Sequence, residues 1–253
     1  MTDVIKPPPA GDRVVAELLL RGRELLDAPR SPVDFQTGIP EAEALLNNIE
    51  QYPHLFVFGC IMDRQIKFGR AWAIPYRIGV QAGGFEFARF RRLSAETLEQ
   101  LFTQNRLHRF NKTTANSFFQ AAQHIHRTYN DDASQIWLGT PSSALVVRRF
   151  LEFTGAGIKI ATMAANILVR EFKIPMRDLS AIDISPDSRV TRFFKERGLL
   201  RKDASPTELI YLARELSPDF PGLLDYAAFT DGGYERSSAG KAVGCNTGRA
   251  KAK

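Results

Sequence analysis

Gly155-Ala156-Gly157 stands two residues ahead of Lys159, and Asp187 follows 28 residues beyond that lysine in a chain of 253 residues. Two glycines flanking one residue make a turn that presents bare backbone N–H groups, and such groups at a helix start hold a phosphate. A lysine just inside that helix is placed to be a nucleophile. The positive helix end and partial burial favour the free amine, which attacks an electrophilic carbon and forms a Schiff base. An aspartate nearby holds developing positive charge and takes a proton from the amine. Each feature also has a plainer role, as a tight turn, a solvated lysine, or an N-cap whose loss costs about 1 kcal/mol. The cap and the chemical role are compatible.

The elements that would position these residues are helical. Apolar residues recur at helical spacing before the turn (Ala144, Leu145, Val147, Phe150, Leu151) and after it (Ala161, Ala164, Ala165, Leu168, Val169), so the glycines join two helices. The same periodicity predicts helices over 14–26, 39–49, 56–79, 86–92, 95–102, 112–129, 143–153, 159–172, 188–197 and 206–216. Ser94 and Asp187 read as N-caps, Ser205-Pro206-Thr207-Glu208 as a capping box, and Gly198 as the stop for the helix that Asp187 starts. No fixed-period repeat and no β-hairpin pattern is present, so the expected class is all-α, built as two intimate helical subdomains over 13–234. Residues 1–12, with Pro7-Pro8-Pro9, and the basic stretch 235–253 have compositions that predict flexible ends.

Composition narrows the class further. Hydrophobic residues at 44% and charged residues at 25% are ordinary globular usage, enough for a core without staples. Cys60 and Cys245 are the only cysteines, which excludes a disulfide framework and a four-cysteine iron–sulfur cluster. The net charge of +6 fits a polyanionic partner, although Lys241, Arg249, Lys251 and Lys253 place part of it in the tail. No apolar run reaches the roughly 18 residues of a membrane span, and the proline-rich start lacks a signal-peptide core, so a cytoplasmic protein is expected. His54, His108, His124 and His126 make no metal-ligand pattern and read as solvated or capping residues, with no metal expected. Phe68, Trp72 and Tyr76, spaced by four, read as a core stripe. Arg89, Arg91 and Arg92 and the pair Arg148 and Arg149 read first as solvated faces.

Three segments together resemble the helix–hairpin–helix DNA glycosylases, the superfamily of endonuclease III and the adenine-mispair and 8-oxoguanine glycosylases. Phe153-Thr154-Gly155-Ala156-Gly157-Ile158-Lys159-Ile160-Ala161 keeps both family glycines, the lysine and the following alanine, with Thr154 in place of a proline. Asp187-Ser188-Arg189-Val190-Thr191-Arg192-Phe193-Phe194 and the following Gly198-Leu199 match the family's acid segment, including an arginine five places after the acid. Met62-Asp63-Arg64-Gln65-Ile66, after the apolar run 55–61, is similar to the loop from which a glutamine enters the duplex. Lysine and acid stand further apart than is usual, with 170–184 supplying the extra chain, as in archaeal 8-oxoguanine glycosylases. The resemblance covers about 55–200.

What the resemblance implies is a monomer with a DNA-binding cleft between its subdomains, acting on double-stranded DNA that contains a damaged or modified base, in a nucleoid-associated setting. The target nucleotide must be rotated out of the stack before its glycosidic carbon is reachable. Lys159 and Asp187 are then the catalytic pair, Gly155, Ala156 and Gly157 the phosphate grip, and Gln65 with Arg64 the wedge and base contact. A structural monovalent cation held by hairpin carbonyls is also implied, without a redox cofactor. The expected activity is base excision with abasic-site lyase activity, an oxidised purine such as 8-oxoguanine being the favoured substrate. A monofunctional glycosylase for another base, phage-modified bases included, and a non-catalytic DNA-binding module stay open at this point. Asp183, four residues before Asp187, competes for the acid's role and reads better as a loop or capping residue.

Overall fold

A computed structural model describes residues 10–225, so the tail 235–253, Cys245 and most of the proline-rich start lie outside the described residues. Twelve α-helices follow in order: α1 (Ala10–Asp27), α2 (Pro40–Asn47), α3 (Pro53–Met62), α4 (Phe68–Trp72), α5 (Ile74–Ala82), α6 (Phe87–Arg91), α7 (Ala95–Gln104), α8 (Asn111–Tyr129), α9 (Ser143–Leu151), α10 (Ile158–Arg170), α11 (Ser188–Glu196) and α12 (Pro206–Leu216). A 3₁₀ turn, Ala133–Ile136, precedes α9, and no strand occurs among the described residues. None of these helices is long and apolar enough to cross a membrane.

Helix α3 is the centre of the molecule. All ten of its residues are buried, with α4, α5, α8 and α10 packed around it. A helix enclosed on every side has no polar face, so its sequence shows a continuous apolar run where a surface helix shows a stripe. The single helix expected over 56–79 is therefore three. The chain leaves α3 at Asp63 and turns at Gln65, whose φ of +55° is left-handed and ends helical hydrogen bonding; Pro75 opens α5 in its first turn. Trp72, Phe68 and Tyr76 are packing residues, as their spacing predicted. Trp72 is fully buried with Phe35 and Phe56 at ring distances of 4.4 and 5.6 Å, and Tyr76 stacks on Phe85.

The buried apolar residues form two clusters. The larger gathers Phe35, the α3 side chains, Phe90, Phe118, Phe150, Phe153 and the inner face of α10. The smaller joins Leu18 of α1, Ile184, Val190, Phe193 and Phe194 of the α11 region, Leu209 and Ala213 of α12, and Leu224. Helix α11 starts as its sequence predicts, with Asp187 as the cap, and Gly198 at φ +72° follows its end. The capping box of α12 is complete.

Two of the four histidines depart from the expected solvated or capping state. His54 and His108 are each only 3% exposed. The His54 Nε2 pairs with the Phe85 carbonyl at 2.8 Å, and burial pulls its pKa down to about 4. His108 Nδ1 accepts from the Phe110 N–H at 3.1 Å, and burial pushes the imidazole pKa down. Burial depends on tertiary neighbours, which residue spacing along the chain does not encode.

Candidate active site

The hairpin lies between α9 and α10, as the apolar spacing on either side requires. Gly155 has φ +94°, and a Cβ there would stand 2.9 Å from Ser117 Oγ and 3.0 Å from Arg64 Nη1. Gly157, in contrast, is the extended N-cap of α10, with open space where a Cβ would go. The two glycines therefore do different work. Gly155→Ala should cost about 1–2 kcal/mol and lower the melting temperature, whereas Gly157→Ala should melt as the wild type does. The Arg64 contact also shows that the loop after α3 lies beside the hairpin; Arg64 and Gln65 are both exposed there.

Lys159 stands in the first turn of α10, and its Nζ donates to Asp187 Oδ2 at 3.1 Å. Asp187 uses its other oxygen to cap α11, accepting from the Arg189 N–H at 2.8 Å and from Arg189 Nε at 3.4 Å. Burial works to raise the Asp187 pKa, but the Arg189 N–H and the charges of Lys159 and Arg189 outweigh it and hold the carboxyl below its ordinary value. The pair also joins the two hydrophobic clusters, since α10 belongs to the larger and α11 to the smaller. With the Lys159 side chain 44% exposed, the pair adds little to stability and leaves the amine open to a ligand.

Asp183 is excluded from this site. It is 5% exposed and bound bidentately by Arg214 of α12, at 2.7 and 2.8 Å, so it ties α12 to the loop before α11. The basic side chains are also locally engaged: Arg91 with Asp131, Arg148 with Glu152, and Arg149 with the carbonyls of Gln135 and Ile136. Among the described residues, no group of three His, Cys, Asp or Glu side chains is placed to hold a metal.

Two further carboxyls belong to this region and were not singled out from sequence. Asp63 closes α3, and burial pushes its pKa up to about 6, with Lys159 pulling it down and Asp187 pushing it up. Asp225 accepts from the Ser185 N–H at 3.2 Å; burial raises it to about 6 against the pull of Arg170. The one sequence signal for Asp63 is an acid ending an otherwise apolar run.

The described architecture is all-helical and shares its fold with a solved structure of endonuclease III. The chain is similar to the structure of a trapped endonuclease III–DNA covalent intermediate in an estranged-adenine complex. That likeness has a TM-score of 0.51 and 15% identity, and covers 83% of this chain and 84% of that one. No family model matches the sequence, and no curated protein does. At that identity the likeness establishes the fold, and the chemistry must be argued from the side chains.

Proposed function

We propose that the protein is a base-excision DNA glycosylase with abasic-site lyase activity, working as a monomer on duplex DNA. The observation that carries this reading is the Lys159–Asp187 pair, an amine in the first turn of the post-hairpin helix held 3.1 Å from a capped carboxylate. The hairpin N–H groups at Gly155–Lys159 would take a phosphate 3′ of the target, which fixes register without reading sequence. Gln65, exposed at a left-handed turn beside the hairpin, would fill the space left by the extruded base. Lys159, once deprotonated, attacks C1′ while Asp187 holds the positive charge that develops on the sugar. The resulting Schiff base then permits strand cleavage by β-elimination.

The hairpin carbonyls of Thr154 and Gly155 accept no hydrogen bond among the described residues, and backbone oxygens of this kind suit a monovalent cation. Such an ion would stiffen the turn. The long segment between Lys159 and Asp187 favours an oxidised purine such as 8-oxoguanine as the excised base. A panel of duplexes with single lesions tests this reading. Release of one base type with nicking at its site supports it, and binding of every duplex without base release contradicts it. Gly157→Ala should weaken duplex binding about tenfold at unchanged melting temperature, because a phosphate must approach that backbone closely.

A further inference from the structure

The segment that follows α12, 217–225, runs between the two hydrophobic clusters. Phe220 and Leu223 pack in the larger one, to which the inner face of α10 belongs, and Leu224 packs in the smaller one with α11. Lys159 and Asp187 therefore stand on helices that this connector separates, and the contacts along it decide how far apart those helices sit.

The connector is pressed tightest at Gly222. The Gly222 carbonyl accepts from Asn166 Nδ2 of α10 at 2.9 Å, and the Gly222 N–H donates to the Ile182 carbonyl at 2.7 Å. A Cβ on Gly222 would stand 2.8 Å from Asn166 Nδ2 and 2.9 Å from the Ile182 oxygen, so the absence of a side chain lets the three segments close up. Helix α1 also meets the connector at short range, since a Cβ on Gly22 would stand 2.6 Å from the Leu223 carbonyl oxygen. Asn166 is buried, two turns after Lys159 on the same face of α10. Just beyond Gly222, Asp225 Oδ2 accepts from the Ser185 N–H at 3.2 Å, and the Ser185 carbonyl accepts from the Asp187 N–H at 2.7 Å. Hydrogen bonds at both ends of 222–225 thus tie the helix that carries Lys159 to the backbone of Asp187.

We propose that the connector 217–225 sets the separation of Lys159 and Asp187, with Asp225 as a positioning residue that acts through Asp187. The Asp225 carboxyl supplies an acceptor to the Ser185 N–H and exchanges no proton with Lys159. That bond holds the turn over Ser185-Pro186-Asp187, and the turn holds the Asp187 carboxylate 3.1 Å from the amine. Asn166 and Gly222 fix the other end of the same spacer to α10. Without the Asp225 acceptor the turn is released on one side, and a misplacement of about 1 Å between reacting groups costs about 100-fold in rate.

This inference rests on the lyase reading, and the test separates the two. Borohydride trapping on a duplex with one abasic site is followed under single turnover, well below the melting temperature, with duplex affinity measured alongside. The proteins compared are wild type, Asp225→Ala, Asp225→Asn, Asp225→Glu, Asp187→Asn and the double variant Asp187→Asn with Asp225→Ala. Asp225→Ala should trap about 10–100-fold more slowly at unchanged duplex affinity. Asp225→Asn keeps an acceptor in the same place and should run close to the wild-type rate. Asp225→Glu keeps the charge but moves the acceptor by one methylene, and should be slow as alanine is. In the Asp187→Asn background, Asp225→Ala should cost no more than about twofold further, because the group it positions is already gone. A merely structural residue lowers the melting temperature and leaves these rate comparisons flat. If Asp225→Ala does not fold, the other two variants decide: a fast asparagine with a slow glutamate supports the role, and any other pattern overturns it. A wild-type rate in Asp225→Ala, an asparagine variant as slow as alanine, or the full loss repeated in the double variant overturns the role of Asp225 alone. Absence of any wild-type adduct overturns the lyase reading with it.

Discussion

Lys159→Gln should abolish strand nicking at an abasic site and slow base release by no less than about 10³-fold, because no other group in the site supplies an amine to C1′. Glutamine is one atom shorter and stays polar, but its amide nitrogen cannot form a Schiff base. The variant should fold normally, since the lysine side chain is 44% exposed and its ion pair contributes at most about 1 kcal/mol. Duplex binding should survive, because the hairpin N–H groups belong to the backbone. Single-turnover kinetics on lesion and abasic duplexes, with binding measured separately, check each part. Retained nicking at the wild-type rate would remove Lys159 from the chemistry.

Asp187→Asn should show the second-largest loss, about 10²–10³-fold in the single-turnover rate at unchanged duplex affinity. Asparagine caps helices about as well as aspartate, so the bond from the Arg189 N–H is preserved and the melting temperature should stay within the equivalent of about 1 kcal/mol. The substitution thus separates the two roles of this residue, keeping the cap and removing the charge. Asp183→Asn provides the contrast. It breaks a bidentate, buried ion pair with Arg214 and should lower the melting temperature while leaving the rate per folded molecule near the wild-type value.

The residues with local signatures were the legible ones. Glycines at a turn, a lysine two places on, and an acid followed by apolar residues three and four apart all report on backbone conformation or helix starts, which are encoded within a few positions. The preference for Asp187 over Asp183 came from the phase of Val190, Arg192 and Phe193 relative to the resembled family, and in the structure Asp187 pairs with Lys159 and Asp183 with Arg214. What escaped the sequence depends on tertiary surroundings. The break after α3 lies inside an apolar stretch whose periodicity is uninformative because the helix is enclosed. The burial of His54 and His108 and the raised carboxyls of Asp63 and Asp225 arise from neighbours distant in the chain. Arg64, read as a base contact, is placed with its guanidinium against Gly155, a proximity that spacing along the chain does not show.

The most direct test of the central claim is to trap the wild-type protein on an abasic-site duplex with borohydride, digest the adduct, and locate the modified residue by mass spectrometry. Modification of Lys159 is the predicted result. An adduct carried by another lysine or by the chain's amino terminus, or no adduct at all, would contradict it.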